Sequence, residues 1–170
     1  MILSEQNKVP FDGDTVREIE DGLMALDNHE EPDDTLKLLL ERTITTLNVP
    51  EGVTKLGEDA LLGAYGLTTV TIPSSVVSID TYAFFNCIVL SNVTLSEGLQ
   101  TIMNYALANC TGLKTIEIPS TVTSIETNAF LDSGLTSIRI HKPTDSIEGA
   151  PWGATNATIT WDSAVEEVTE

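Results

Sequence analysis

The stretch that decides the fold is Leu67-Thr68-Thr69-Val70-Thr71-Ile72-Pro73, because it recurs. Ile44-Thr45-Thr46-Leu47-Asn48-Val49-Pro50 precedes it. Leu90-Ser91-Asn92-Val93-Thr94-Leu95, Leu113-Lys114-Thr115-Ile116-Glu117-Ile118-Pro119 and Leu135-Thr136-Ser137-Ile138-Arg139-Ile140 follow it. The copies begin 23, 23, 23 and 22 residues apart, and a fixed period in this range marks a solenoid. Within each copy the apolar residues alternate with polar ones: Leu47/Val49, Val70/Ile72, Val93/Leu95, Ile116/Ile118 and Ile138/Ile140. That alternation is a half-buried strand with one face in the core.

A turn follows each strand at Pro50, Pro73, Ser96-Glu97-Gly98 or Pro119, where proline fixes φ and ends the ladder. A second extended piece directs Val53/Leu56, Val76/Ile79, Leu99/Ile102 and Val122/Ile125 inward. Ala60-Leu61, Ala83-Phe84, Ala106-Leu107 and Ala129-Phe130 then fall at matching positions, predicted to be a short helical turn. There the small Ala admits the neighbouring coil and Leu or Phe fills the coil's middle. Asn86-Cys87, Asn109-Cys110 and Asp132-Ser133 form a polar corner, with Gly63-Ala64 in its place in the first copy. Asn and Asp suit a corner because their side chains can bond backbone groups that a turn leaves free.

The whole pattern, Leu-x-x-Val-x-Ile-Pro-x-x-Val-x-x-Ile followed by Ala-Phe and Asn-Cys, resembles the BspA-like class of leucine-rich repeats over residues 44–140. The resemblance implies a non-enzymatic solenoid of the kind found in bacterial surface adhesins and in phage and prophage proteins. Leu40-Glu41-Arg42-Thr43-Ile44-Thr45 is similar to the junction of phage tail-associated proteins that carry such repeats, and residues 147–161 are similar to a C-terminal cap that follows them. Pro151-Trp152-Gly153 can lay a large ring over the last coil, and Thr158-Ile159-Thr160-Trp161 alternates like one more strand. The expected architecture is an α/β solenoid of about five right-handed coils, with short strands and short helical turns, behind an α-helical N-terminal segment.

That segment is residues 1–34. Thr15 and Glu18 fit a capping box, and Val16, Ile19, Leu23 and Leu26 follow on one helical face, a candidate anchoring helix. Residues 35–43 are expected to cap the first coil, 141–163 to cap the last, and 164–170 to be an acidic tail.

The chain has 170 residues and a formal net charge of −18, from 26 acidic and 8 basic side chains. This argues against nucleic acid or an anionic membrane as partner, since both would be repelled. No stretch reaches the 18 apolar residues or more of a membrane span, and Met1-Ile2-Leu3-Ser4-Glu5-Gln6 does not read as a secretory leader. On that ground the expected location is a virion assembled in the host cytoplasm; the alternative is the bacterial cell surface or the cytoplasm. The expected role is structural or adhesive: a tail, baseplate or fibre component that anchors to other subunits through residues 1–34. It would present its repeats, in several copies, to a host-surface protein or glycan. The alternative is a surface adhesin or a cytosolic protein-binding module.

The candidate binding face is the outward row of the strands: Thr46, Asn48, Thr69, Thr71, Asn92, Thr94, Thr115, Glu117, Ser137 and Arg139. It carries no Trp or Tyr anchor, and a plain threonine ladder that favours strand geometry is the competing reading. No catalytic residue, cofactor site or metal site is expected. The chain has no G-x-S-x-G, H-E-x-x-H, Walker A or G-x-G-x-x-G pattern, and Asp12-Gly13-Asp14 lacks the other ligands of a calcium loop. Cys87 and Cys110 hold one register position in adjacent coils, close enough for a disulfide, but read better as two buried thiols.

Overall fold

A computed structural model describes residues 44–162. The proposed helix at Val16, Ile19, Leu23 and Leu26, the 35–43 cap and the acidic tail lie outside the described residues. Ten short strands follow one another: β1 (Thr46–Asn48), β2 (Lys55–Leu56), β3 (Thr69–Ile72), β4 (Ser78–Ile79), β5 (Asn92–Leu95), β6 (Thr101–Ile102), β7 (Thr115–Ile118), β8 (Ser124–Ile125), β9 (Ser137–Ile140) and β10 (Thr158–Trp161). All pairings are parallel and join equivalent positions of successive coils, so Thr46 lies beside Thr69 and Thr69 beside Asn92. The wide strands form two three-stranded sheets, β1-β3-β5 and β7-β9-β10, and the narrow ones form one four-stranded sheet, β2-β4-β6-β8.

Each coil encloses its inward residues. Leu47, Val70, Ile116 and Ile138 from the wide strands and Leu56, Ile79, Ile102 and Ile125 from the narrow ones are buried in one continuous core. Ala60, Ala83, Ala106 and Ala129 are buried at the positions expected of the small residue, and Leu61, Phe84, Leu107 and Phe130 fill the centre beside them. No polar or charged residue is buried among those described.

The predicted helical turns are absent: no helix occurs among the described residues, which build an all-β solenoid. The reason is conformational. Asp59 and Gly63, Tyr82 and Asn86, and Tyr105 and Asn109 adopt φ between 58° and 68°, two left-handed residues in each of the first three coils, and Asp132 adopts 54° in the fourth. Each pair interrupts the run of right-handed φ that a helix needs, and Gly, Asn and Asp tolerate the left-handed region better than other residues. The segment is instead held from coil to coil. Leu61, Phe84 and Leu107 donate their N–H groups to Ala83, Ala106 and Ala129 carbonyls, each at 2.8 Å.

The same ladder runs into the last described segment. Phe130 donates to the Trp152 carbonyl at 3.0 Å, so Trp152 takes the place that Ala holds in each earlier coil. Its ring is fully buried, its indole N–H donates to the Glu148 carbonyl at 2.7 Å, and it meets Phe130 and Trp161 edge-on at 6.4 Å. β10 then pairs with β9, Ile159 beside Ile138. Residues 147–161 thus close the core as one more, incomplete coil.

Trp152→Ala removes the largest fully buried side chain. It should lower stability by about 3–5 kcal/mol in urea unfolding. Because solenoid coils couple only to their neighbours, amide exchange should accelerate first in β9 and β10. Equal acceleration in β3 would contradict that order.

Candidate functional site

The outward strand row lies where the sequence places it. Thr46, Asn48, Thr69 and Thr71 are half-buried on β1 and β3, Asn92 and Thr94 exposed on β5, Thr115 and Glu117 exposed on β7. Ser137 is half-buried and Arg139 exposed on β9. The structure brings all ten residues onto one face, and it separates two kinds of hydroxyl there. Residues just before each strand are used by the fold. Thr68, Ser91 and Thr136 side chains donate to the Thr45, Thr68 and Lys114 carbonyls of the preceding coil at 2.8–3.2 Å. The hydroxyls of Thr71, Thr94 and Thr115, within the strands, have no hydrogen-bond partner among the described residues.

The face is not uniform. At its C-terminal end an ion-pair group joins three coils. His141 Nδ1 lies 2.9 Å from Asp162 Oδ2 and its Nε2 3.4 Å from Glu117 Oε2, while Arg139 reaches Asp162 Oδ1 at 3.3 Å. The Asp162 carboxylate holds the His141 imidazolium above the ordinary histidine range, with help from Glu117 and against some desolvation. In return the His141 contact, with Arg139, holds Asp162 below the usual carboxylate range. All four groups are partly exposed, so the network is a solvent-screened surface clamp between coils. Sequence reading did not find it, because partners 21–24 residues apart meet only once coils are stacked.

Midway along the face the sheet stops. Ser91 and Asn92 both donate to the Thr68 carbonyl, and Thr136 and Ser137 both donate to Lys114. The corresponding donation from Lys114 and Thr115 to Ser91 is missing, and β5 and β7 are not hydrogen-bonded neighbours. A cleft of about 280 Å3 opens between them, lined by residues 91–95 and 115–117. Val93 and Leu95 are half-exposed there, whereas Val70, Ile72, Ile116 and Ile118 are buried. The break falls beside the one copy whose turn has Ser96-Glu97-Gly98 in place of the proline turn. Gly98 has φ 122° and lies so near the previous turn that a Cβ would stand 2.2 Å from the Ser74 carbonyl oxygen. Glu97 reaches forward and accepts from the Ser120 and Thr121 amides at 3.1 and 3.2 Å, contacts that keep its carboxyl below the usual range.

Away from the strand face, Tyr82 and Tyr105 stack at 5.2 Å and 8° between planes, with Phe85 edge-on to Tyr82. The signal was available, since the two tyrosines are 23 residues apart and share the left-handed position. A larger open depression of about 690 Å3 is lined by Asn104, Glu126, Asn128 and Glu148 among others, but Glu126 is already committed to the Asn104 amide at 2.8 Å. Cys87 and Cys110 are free and buried; burial pushes the Cys87 thiol up to about 12 and raises Cys110 as well. Among the described residues no group of His, Cys, Asp and Glu is arranged to hold a metal, and no helix is long and apolar enough to cross a membrane.

A family model described as a BspA type leucine rich repeat region matches residues 39–153 in 6 copies. Among solved structures, the chain is similar to a leucine rich cell surface protein from Faecalibacterium prausnitzii A2-165, at 29% identity and a TM-score of 0.63, over 74% of this chain and 34% of that one. A leucine-rich repeat protein from Eubacterium ventriosum is similar at 26% identity and a TM-score of 0.58, over 72% and 33%. The pneumococcal vaccine antigen PcpA shares the fold at 19% identity and a TM-score of 0.59, over 71% and 31%. The chain spans about a third of the length of these three solved chains. No curated protein matches it.

The ion-pair group sets a pH prediction. A histidine raised above its unfolded value near 6.5 stabilises fully below that value and ceases to as pH rises through its folded pKa. A depressed Asp stabilises above its unfolded value near 3.9 and ceases to as pH falls through its own. The His141–Asp162 contribution is therefore largest between about pH 4 and 6.5. The urea midpoint of His141→Asn should lie below that of the native chain in this window and converge with it toward pH 8–9. A constant difference across the range would show that protonation plays no part.

Proposed function

Because the chain belongs to the BspA type leucine rich repeat family, whose model covers residues 39–153 of it, we propose that it is a non-catalytic adhesive domain that binds through its strand face. The observation that carries this reading is the division of hydroxyls. The fold uses the Thr68, Ser91 and Thr136 hydroxyls but leaves those of Thr71, Thr94 and Thr115, on the same face, without a partner among the described residues. A threonine ladder needed only for strand geometry also explains the residue type. It does not explain the exposure that rises toward the cleft, where Asn92, Thr94, Thr115 and Glu117 are all exposed.

Display on a bacterial cell surface is the placement with most support, since the chain is 29% identical over most of its length to a protein described as a cell surface protein. Display on a phage or prophage particle, with residues 1–34 as the attachment and the acidic tail at the far end, is the second placement. In both, binding is multivalent. A face without aromatic anchors binds weakly in one copy, and linked copies raise avidity without new contacts.

The test is to coat beads with the full chain at high and low density and probe them with arrays of host extracellular proteins and surface glycans. Thr71→Lys, Thr94→Lys and Thr115→Lys together should reduce capture at least tenfold while leaving thermal unfolding unchanged. Ser124→Lys with Thr127→Lys, exposed on the other side, should leave capture intact. Loss confined to the second pair would move the binding surface off the strand face and end this reading.

A further inference from the structure

Four large apolar side chains stand exposed on one corner of the first two coils. Leu62, Tyr65, Ile88 and Val89 are 41–50% exposed, and of the large apolar residues exposed among those described only Val77 lies elsewhere. Tyr65 and Ile88 are 23 residues apart, at one register position of adjacent coils, where backbones run about 4.8 Å apart. Leu62 stands likewise beside Phe85, which is half-buried. The ladder fixes this register: the Gly63 N–H donates to the Phe85 carbonyl at 2.9 Å, and Asn86 Nδ2 donates to the Tyr65 hydroxyl at 3.1 Å. The fold does not need these side chains. Their neighbours Leu61, Ala64, Phe84, Cys87 and Leu90 already fill the core. In the third coil Ala108, Thr111 and Gly112 take the places of Phe85, Ile88 and Val89, and the patch ends. A contiguous apolar patch that packing does not require marks a contact surface.

The course of the chain says what lies within its reach. Ile44, the first described residue, holds the position of Leu67 and Leu90 in its coil, and the Thr68 N–H meets the Thr45 carbonyl at 2.8 Å in that register. Tyr65 lies two residues before Leu67 and Val89 one before Leu90, so the chain enters the solenoid at the corner that carries the patch. Upstream, outside the described residues, Val16, Ile19, Leu23 and Leu26 follow at the spacing of one apolar helical face. Residues 27–43 separate that stripe from Ile44, and a flexible tether of this length spans about 20–25 Å on average. The patch lies within about two coil spacings of the entry point, or about 10 Å. So short a tether holds the stripe at an effective concentration in the millimolar range. A second copy fits less well. A stable interface takes about 20–30 residues from each side, and two chains of net charge −18 repel each other.

We propose that the corner is the docking site of residues 15–27 of the same chain, which lay the stripe of Val16, Ile19, Leu23 and Leu26 across Leu62, Tyr65, Ile88 and Val89. The proposal goes beyond the strand-face reading and does not rest on it. It gives residues 1–34 two alternative contacts. A subunit that takes the stripe as an attachment must first displace it from the corner, and in doing so uncovers the patch.

The experiment uses the full 15N-labelled chain with a nitroxide on Asp21→Cys, a position opposite the stripe on a helix. Cys87 and Cys110 are fully buried and stay unlabelled. The nitroxide should reduce the amide signals of Leu62, Tyr65, Ile88 and Val89 at least threefold. It should leave those of Ser124, on the other side, and Ile159, at the far end, unchanged. Leu23→Glu with Leu26→Glu should restore the four signals, and so should Ile88→Glu, whereas Val77→Glu should leave them reduced. Full signals at the four amides in the labelled native background, or an equal loss along the whole solenoid, would overturn the proposal. A loss that both the stripe variant and the patch variant leave in place would do the same.

Mixing nitroxide-labelled 14N chain with unlabelled 15N chain tells one copy from two. The 15N chain should keep its four signals; their loss in the mixture would put the occupant on a second copy and end the assignment. The strand face is untouched by these variants, so host capture should match that of the native chain. Failure of the docking test with capture still lost in the strand-face lysine variant leaves the adhesive reading standing. Native capture in that lysine variant, with the corner occupied, leaves the docking standing instead.

Discussion

The interaction that the rest of the molecule depends on is the main-chain hydrogen bond from each coil to the next at an equivalent position. It recurs around the coils, apart from the missing bond from Lys114 to Ser91: Thr68 to Thr45 and Gln100 to Val77 at 2.8 Å, Gly134 to Cys110 at 3.0 Å. Each such bond requires the two backbones to approach to strand distance all the way round the coil, not only within the strands. That requirement selects residues. A side chain on Gly134 would put its Cβ 2.0 Å from the Thr111 carbonyl, and Ala60, Ala83, Ala106 and Ala129 keep the inner turn narrow. With no helix to satisfy its own backbone, each coil depends on its neighbours for hydrogen bonds as well as for burial.

How much of this could be read beforehand follows from which physical quantity each feature depends on. The inward set was legible because burial repeats with the sequence period, and apart from Val93 and Leu95 the expected inward residues of the coils are buried. The turn conformation was not. Ala-Leu and Ala-Phe pairs fit a helical turn or a tight non-helical one equally well by side-chain size. What separates them is φ at Asp59, Tyr82 and Tyr105, and the tyrosines among these give no hint of a left-handed backbone from their residue type. Their mutual stacking at 5.2 Å helps to offset a conformation that costs about 1–2 kcal/mol per residue.

The candidate face was legible as a set of residues but not as a site. Its ten members could be placed on one side by counting from each leucine. That Glu117, Arg139, His141 and Asp162 form one charged group, and that the sheet opens beside Thr94, depend on contacts between coils more than twenty residues apart. The turn at Ser96-Glu97-Gly98 was visible as a departure from the proline pattern, yet the lack of pairing between β5 and β7 beside it was not. Side-chain identity reports burial well and strand pairing poorly, because the ladder is made by main chain.

This difference bears on where specificity can reside in such a fold. A regular repeat presents the same face at every coil and offers no position that a partner could prefer. Irregularities break that equivalence, and a solenoid tolerates them because coils are coupled only to their neighbours. Here the four-stranded sheet β2-β4-β6-β8 continues past the gap between β5 and β7, so the core stays sealed while one face opens. On the proposed adhesive reading, the coil that departs from the pattern is the one best suited to distinguish partners. The regular coils on each side act as its support, and the clamp of His141 with Asp162 and Glu117 ties the C-terminal wall of the cleft to the end of the stack.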